Sequence, residues 1–129
     1  MTEDPGTGPF AVLLGIRRLE MADGRGRFAL TVRPEHMNPH GVVHGGGVYT
    51  LVDYAMGAAL VSRLGPGERC ATLEITIHYL AAATGGELTA AARVVHQSRR
   101  IAVLEGQVCS DDGREVARAL GSFYVHGPA

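Results

Sequence analysis

Glu35-His36-Met37-Asn38-Pro39-His40-Gly41-Val42-Val43-His44-Gly45-Gly46-Gly47 runs straight into Val48-Tyr49-Thr50-Leu51-Val52-Asp53-Tyr54-Ala55-Met56-Gly57-Ala58-Ala59-Leu60. The first half holds Pro39 and four glycines among polar residues, and the second is mostly apolar and rich in helix formers. The stretch therefore reads as a turn-rich loop opening into the longest helix of the chain. Val48, Leu51, Val52, Ala55, Met56, Ala58, Ala59, Leu60 and Val61 do not keep to one stripe, and a helix apolar nearly all round belongs inside a protein. Asp53 is the exception. A carboxylate taken out of water costs roughly several kcal/mol, so it needs a partner, a raised pKa or a wet cleft beside it.

What surrounds such a helix is legible in the flanks. Residues 15–21 and 26–33 bracket Ala22-Asp23-Gly24-Arg25, whose Asp-Gly pair signals a hairpin. In the second arm Phe28, Leu30 and Val32 alternate with Arg27, Ala29, Thr31 and Arg33, which predicts one buried and one wet face. After Gly65-Pro66-Gly67 ends the helix, residues 70–80 alternate again, with Ala71, Leu73, Ile75, Ile77 and Tyr79 on one face and Thr72, Glu74, Thr76 and His78 on the other. Strands over 87–97, 101–109 and 115–125 follow, separated by Thr84-Gly85-Gly86, Ser98-Arg99-Arg100 and Asp111-Asp112-Gly113, a pattern that predicts an antiparallel meander. Strand, strand, long helix, then four strands gives an α+β fold: one antiparallel sheet curled around one helix. Residues 1–9 read as a loose tail and 10–129 as a single domain, with a helical turn or two over 10–14 as a lid or packing arm.

Composition removes several function classes. Twelve basic residues against thirteen acidic ones leave no basic field for nucleic acid or an anionic membrane. No apolar run reaches the ~20 residues of a membrane span, and Met1-Thr2-Glu3-Asp4 lacks the positive start of a secretory signal, so a cytoplasmic location is expected. All twelve basic residues are arginine. Without lysine there is no Schiff base, no pyridoxal phosphate anchor and no P-loop, and no GxSxG elbow is present. Cys70 and Cys109 lie in different strands with no CxxC spacing and are expected to be buried thiols.

Three features of the loop and helix carry chemistry. His36, His40 and His44 recur every four residues, but Pro39 and Gly41 argue against a helix there and no acidic or cysteine cluster completes a metal shell, so no metal is expected. His36 and His40 read as loop histidines bonded to backbone. Gly45-Gly46-Gly47 at the helix start allows close backbone approach and offers N–H groups at the positive end of a dipole, which makes an oxyanion-hole candidate. Asp53 lies about 12 Å further along the same helix, so one chain cannot bring both to one small carbonyl. Two such helices packed across a dimer axis could. The plainer alternative for Asp53 is a buried carboxylate tied to loop N–H groups or to Asn38.

Asn38, His40-Gly41, His44-Gly45-Gly46 and Asp53, at this spacing and in this loop-then-helix context, resemble the hotdog-fold acyl-CoA thioesterases of the phenylacetic-acid-degradation type. The resemblance spans most of the chain. It implies a homodimer with two interfacial active sites, commonly paired into a tetramer, acting on acyl-CoA without metal or redox cofactor. It also implies that the Gly45 or Gly46 N–H, with Asn38 nearby and His44 shaping the loop, holds the thioester oxygen, while Asp53 of the opposing subunit is base or nucleophile. Thr72 occupies the place where related enzymes often carry a Ser or Thr that positions water, although its strand parity puts it with Glu74 and Thr76 on the polar face. Arg99 and Arg100 match a region that often contacts the nucleotide, and Arg63 is a further candidate for its phosphates. Two departures from the family pattern, Leu80-Ala81-Ala82-Ala83 where many relatives have a proline and Tyr54 after the acid, fall where acyl or pantetheine selectivity is set.

The first reading is therefore an acyl-CoA thioesterase acting on a small or aromatic acyl group. A hydratase or dehydratase on the same fold would need an acid and a histidine, here Asp53 and His44, aimed together at the α and β carbons. A non-catalytic acyl-CoA-binding module would gain nothing from a carboxylate in an apolar helix.

Overall fold

The computed structural model describes residues 7–128, so most of the tail expected over 1–9 lies outside the described residues, and Gly8 and Pro9 already belong to the first helix. In chain order the elements are α1 (Gly8–Leu14), β1 (Ile16–Ala22), β2 (Arg25–Thr31), a single 3-10 turn (Pro34–His36), α2 (Gly45–Val61), β3 (Arg69–Tyr79), β4 (Glu87–Gln97), β5 (Ile101–Ser110) and β6 (Glu115–His126). The strands form one six-stranded antiparallel sheet in the order β1-β2-β4-β5-β6-β3, and α2 packs across its inner face. No helix among the described residues is long and apolar enough to cross a membrane.

The hairpin forms where the Asp-Gly pair places it. Asp23 (φ 54°) and Gly24 (φ 76°) both adopt left-handed backbone, the requirement of the tight turn that matches strand twist. Gly24 N–H donates to Ser62 Oγ at 2.8 Å, and that hydroxyl donates to Ala59 O at 2.7 Å, tying the hairpin to the end of α2. Phe28 and Leu30 point into the core as expected. Ala29, expected on the wet face, is buried as well, because its short side chain lies between Arg17 and Thr89 of the neighbouring strands.

The expected four-strand meander holds only for β4, β5 and β6. β3 does not pair with β4. It pairs with β6 at the far edge of the sheet, and β4 takes β2 as its other neighbour. Residues 80–86 are too many for a tight turn and instead cross from the β3 edge to β2, with backbone bonds to β6 (Leu80 N–H to Val116 O, 2.8 Å), to the loop before α2 (Val43 N–H to Ala83 O, 2.8 Å) and to the end of β2 (Val32 N–H to Gly86 O, 2.9 Å). The glycines marked a break correctly but not its topology.

A second difference bears on the site. β3 carries a bulge: Thr72 pairs with Phe123 and Glu74 with Ser122, leaving Leu73 without an opposite residue. One extra residue reverses the alternation. Cys70 and Thr72 before the bulge share the helix-facing side with Ile75 and Ile77 after it, and Leu73 is 57% exposed. Cys70 and Cys109 are free thiols, half-buried and not fully enclosed as expected.

α2 is buried on most of its circumference because the sheet lets it sink. A Cβ on Gly26 of β2 would overlap the Ala55 carbonyl oxygen. One on Gly106 of β5 would stand 2.7 Å from Val52 Cγ2, and one on Gly121 of β6 3.1 Å from Met56 Sδ. Three strands thus present bare backbone beneath one helix, and Leu51, Val52, Ala55, Met56, Ala59 and Leu60 are wholly enclosed there. α1 is a lesser packing arm, of which only Ala11 is buried while Phe10 and Leu13 remain exposed.

Candidate active site

The loop before α2 is built by its own polar side chains. Asn38 Oδ1 accepts from the His40 N–H (2.9 Å) and the Val42 N–H (3.3 Å), closing a turn in which Gly41 is left-handed. His36 is buried: Nδ1 accepts from the Arg33 N–H at 2.9 Å, which leaves Nε2 to donate to Leu14 O at 2.7 Å. The His36 carbonyl in turn accepts the His44 N–H at 2.8 Å. Of the two histidines read as bonding backbone, His36 does so through its ring. His40 takes part through its own backbone N–H.

His44 is the N-cap of α2. Its Nδ1 accepts from the Gly46 N–H at 2.8 Å, so that donor is committed within the loop. Gly47 N–H returns to His44 O, and the Gly45 N–H is among the first-turn donors that an α-helix leaves without an intrahelical acceptor. Tyr79, at the end of β3, lies over the same turn. Its hydroxyl donates to Gly45 O at 2.8 Å and its ring would be 3.1 Å from any Cβ on Gly45. Tyr79 and His44 therefore hold the Gly45–Gly46 peptide from both sides. Partial burial, with Tyr49 close by, pushes the Tyr79 hydroxyl up in pKa and keeps it a donor.

Asp53 projects from the middle of α2 toward the start of β3, where Thr72 Oγ1 donates to its Oδ1 at 2.9 Å. Parity along an unbroken strand would have turned Thr72 away; the bulge at Leu73 brings it in. Burial pushes the Asp53 carboxyl above the ordinary carboxylate range, and the Thr72 hydrogen bond partly opposes that. The neighbouring Cys70 thiol is raised by burial and by the Asp53 charge, so it remains a thiol. Asp53, Tyr54, Cys70 and Thr72 line one cavity of about 480 Å³, with Phe28 and Phe123 behind them.

Two groups of the expected residues are thus brought together at opposite ends of one stretch of helix: Asn38, His44, Gly45 and Gly46 at its N-terminus, and Asp53, Tyr54 and Thr72 two turns on. The arginines are placed elsewhere. Arg63 reaches the hairpin, with Nη2 3.4 Å from Asp23 O, and packs over Gly24. Arg100 spans 3.4 Å to each of Val125 O and Gly127 O, holding the end of β6. Arg99 is exposed in the β4–β5 turn. Two residues near the site went unread in the sequence. Arg18 lines the Asp53 cavity from β1, and nothing in the sequence distinguishes it from the other strand arginines. Tyr79 did stand out as a large aromatic at the end of a strand, but only the fold brings it to Gly45.

The pattern of the thioesterase superfamily matches residues 40–117, which spans the His40–Gly46 loop, all of α2 and the strands through β5. The chain belongs to the thioesterase superfamily. It is a thioester hydrolase of PaaI type with the hotdog fold. It is 31% identical over 118 residues to the acyl-coenzyme A thioesterase PaaI of Escherichia coli K12, covering 91% of this chain and 82% of that protein. The conserved protein PA5202 from Pseudomonas aeruginosa superposes with a TM-score of 0.90 at 32% identity over 96% of this chain and all of that one. BH2602 from Bacillus halodurans, solved with CoA, superposes with a TM-score of 0.85 at 39% identity over 93% of this chain and 80% of that one.

Proposed function

We propose that this protein hydrolyses small or aromatic acyl-CoA thioesters to the free acid and CoA. The observation that carries the proposal is Asp53, a half-buried carboxylate that accepts a hydrogen bond from Thr72, facing a mostly apolar cleft from the helix that also presents the Gly45 N–H at its start. A relative solved with CoA supports the choice of carrier.

Among the described residues no acceptor takes the Gly45 N–H, which donates to the thioester oxygen, and the helix dipole behind it favours the charge that develops there. The Asp53 carboxylate attacks the carbonyl carbon itself, or takes a proton from a water that does. Direct attack breaks the C–S bond to leave a mixed anhydride on Asp53, which water then hydrolyses to the free acid and the restored carboxylate, while the departing thiolate takes a proton from solvent. Attack by water gives the free acid in one collapse of the tetrahedral intermediate, and the thiolate takes up the proton that Asp53 removed. The eight steps from Gly45 to Asp53 correspond to about 12 Å of helix, so donor and carboxylate acting on one carbonyl come from two chains. β3 offers the means. It is an edge strand of 11 residues with one side unpaired among the described residues, and an open edge that long is a template for a second copy. The assembly is a homodimer, itself able to pair into a tetramer. Arg99, with Arg100 in the same turn, meets the CoA phosphates.

The test is thiol release from a panel of aryl, short and long acyl-CoAs by the native protein. Turnover of at least one is expected, and binding without thiol release from any of them would overturn the proposal. A second outcome follows from the hydrogen bond. Because the Thr72 hydroxyl favours the ionised carboxylate, Thr72→Val raises the Asp53 pKa further, and the acid limb of the kcat/KM profile moves to higher pH. An unmoved limb would mean that Thr72 does not touch the group that titrates in catalysis.

A further inference from the structure

The cavity beside Asp53 does not stop at the carboxylate. It follows α2 past Tyr54 and Gly57 to Val61, about 12 Å of helix, with Phe28 and Met21 of the hairpin as its far wall. At about 480 Å³ it falls within the range of sites that enclose a small organic group. Gly57 lies one helical turn beyond Asp53 on the same face. A Cβ placed there would meet nothing within 4 Å, in contrast to Gly26, Gly106 and Gly121, whose hydrogens are demanded by close packing. Glycine in the interior of a helix is less favourable than alanine, and packing gives it no reason to be at 57. What it does give is open space in line with the carboxylate, walled mainly by aromatic and apolar side chains, with Arg18 of β1 beside Met21 on the far wall.

Resting on the reading of Asp53 as the reacting carboxylate, we infer that the space over Gly57 is the acyl slot and that Gly57 sets its depth. The acyl group enters past Asp53 with its carbonyl held at the carboxylate, and its far end lies against Gly57 and Val61. The slot is longer than an acetyl or benzoyl group needs; its helix face is uncharged between Asp53 and Val61, and its one basic lining residue, Arg18, stands on the β1 side. It therefore shifts the preference within that reading from the smallest acyl groups to those with an extended apolar chain, arylalkanoyl and medium-chain alkanoyl thioesters. Very short acyl groups leave it unfilled.

The experiment is a chain-length series of alkanoyl-CoAs from acetyl to decanoyl, with phenylacetyl- and phenylbutyryl-CoA, comparing the native protein with Gly57→Ala and Gly57→Leu. In the native protein kcat/KM rises about four-fold for each methylene the slot accepts, the factor expected for burying one CH₂. In Gly57→Leu the ratio of decanoyl to acetyl kcat/KM falls by about 30-fold or more, the loss of two or three seated methylenes. Gly57→Ala, the milder change should the leucine variant fail to fold, lowers the same ratio by roughly four-fold. An unchanged ratio in the folded variants, or an equal loss for every acyl length, overturns the inference alone. Absence of thiol release from any ester by the native protein would overturn the reading on which it rests, and this inference with it.

Discussion

With asparagine at position 53, kcat for the best acyl-CoA falls by ~10²-fold or more while the protein stays folded. Asparagine keeps the shape of aspartate and an oxygen to accept the Thr72 hydroxyl at Oδ1, so the 2.9 Å contact between α2 and β3 survives. What disappears is the negative charge, and with it both the nucleophile and the base. Stability moves the other way. The Asp53 carboxyl is raised in the folded chain, so the native state binds its proton more tightly than the unfolded state does, and stability contributed by this group falls as the pH rises through the raised pKa. At neutral pH the ionised carboxylate therefore opposes folding, and Asp53→Asn leaves Tm equal or higher. The advantage fades as the pH drops below the ordinary carboxylate range, where aspartate is neutral in both states. Activity and Tm measured on the same samples separate the two effects. A variant that keeps kcat within about three-fold would remove Asp53 from the chemistry, and one that loses activity only because it melts lower would show that the carboxylate is structural.

The sequence made the parts of this site legible unevenly, and the reasons are physical. The loop and helix were readable because their signals are local: Pro39 and the glycines break regular structure, the apolar run carries it on, and a carboxylate among apolar neighbours is conspicuous wherever the run folds. The hairpin was readable because Asp23-Gly24 needs two left-handed residues and few sequences supply them. Strand partners were not, since β3 and β4 are adjacent in sequence and separated by glycines, the usual mark of a hairpin, yet β3 lies at the opposite edge of the sheet. The side of Thr72 was likewise invisible. Alternation is a parity argument, and the single unpaired Leu73 inverts it. Nor could residue type show that the Gly46 N–H is taken by His44 while Tyr79 grips Gly45, because both depend on where the loop is set down on the sheet.

Gly26→Ala is expected to lower stability by roughly 3 kcal/mol, at or beyond the upper end of ordinary overpacking, with a fall in Tm of about 10 °C. The added methyl would overlap the Ala55 carbonyl oxygen and stand 2.9 Å from the Ala59 nitrogen and 3.2 Å from Ala58 Cβ. Two of those three neighbours are helix backbone, so no rotamer change relieves the clash. Gly26 itself is fixed between Met21 of β1 and Ala92 of β4. The helix must lift, and it cannot lift at one point only, because Val52 and Met56 are seated over Gly106 and Gly121 on the same inner face. Lifting opens voids beneath Leu51 and Leu60, which are fully enclosed. The same substitution at Gly57 has the opposite sign: the methyl meets nothing within 4 Å, the position is helical, and the change stabilises by about 0.5–1 kcal/mol. Urea or thermal melts of the two single variants therefore bracket the native protein from below and above. A Gly26→Ala variant as stable as the native chain would show that α2 can ride higher on the sheet than it does, and that the fixed distance from Asp53 to Thr72 is not imposed by the glycine bed.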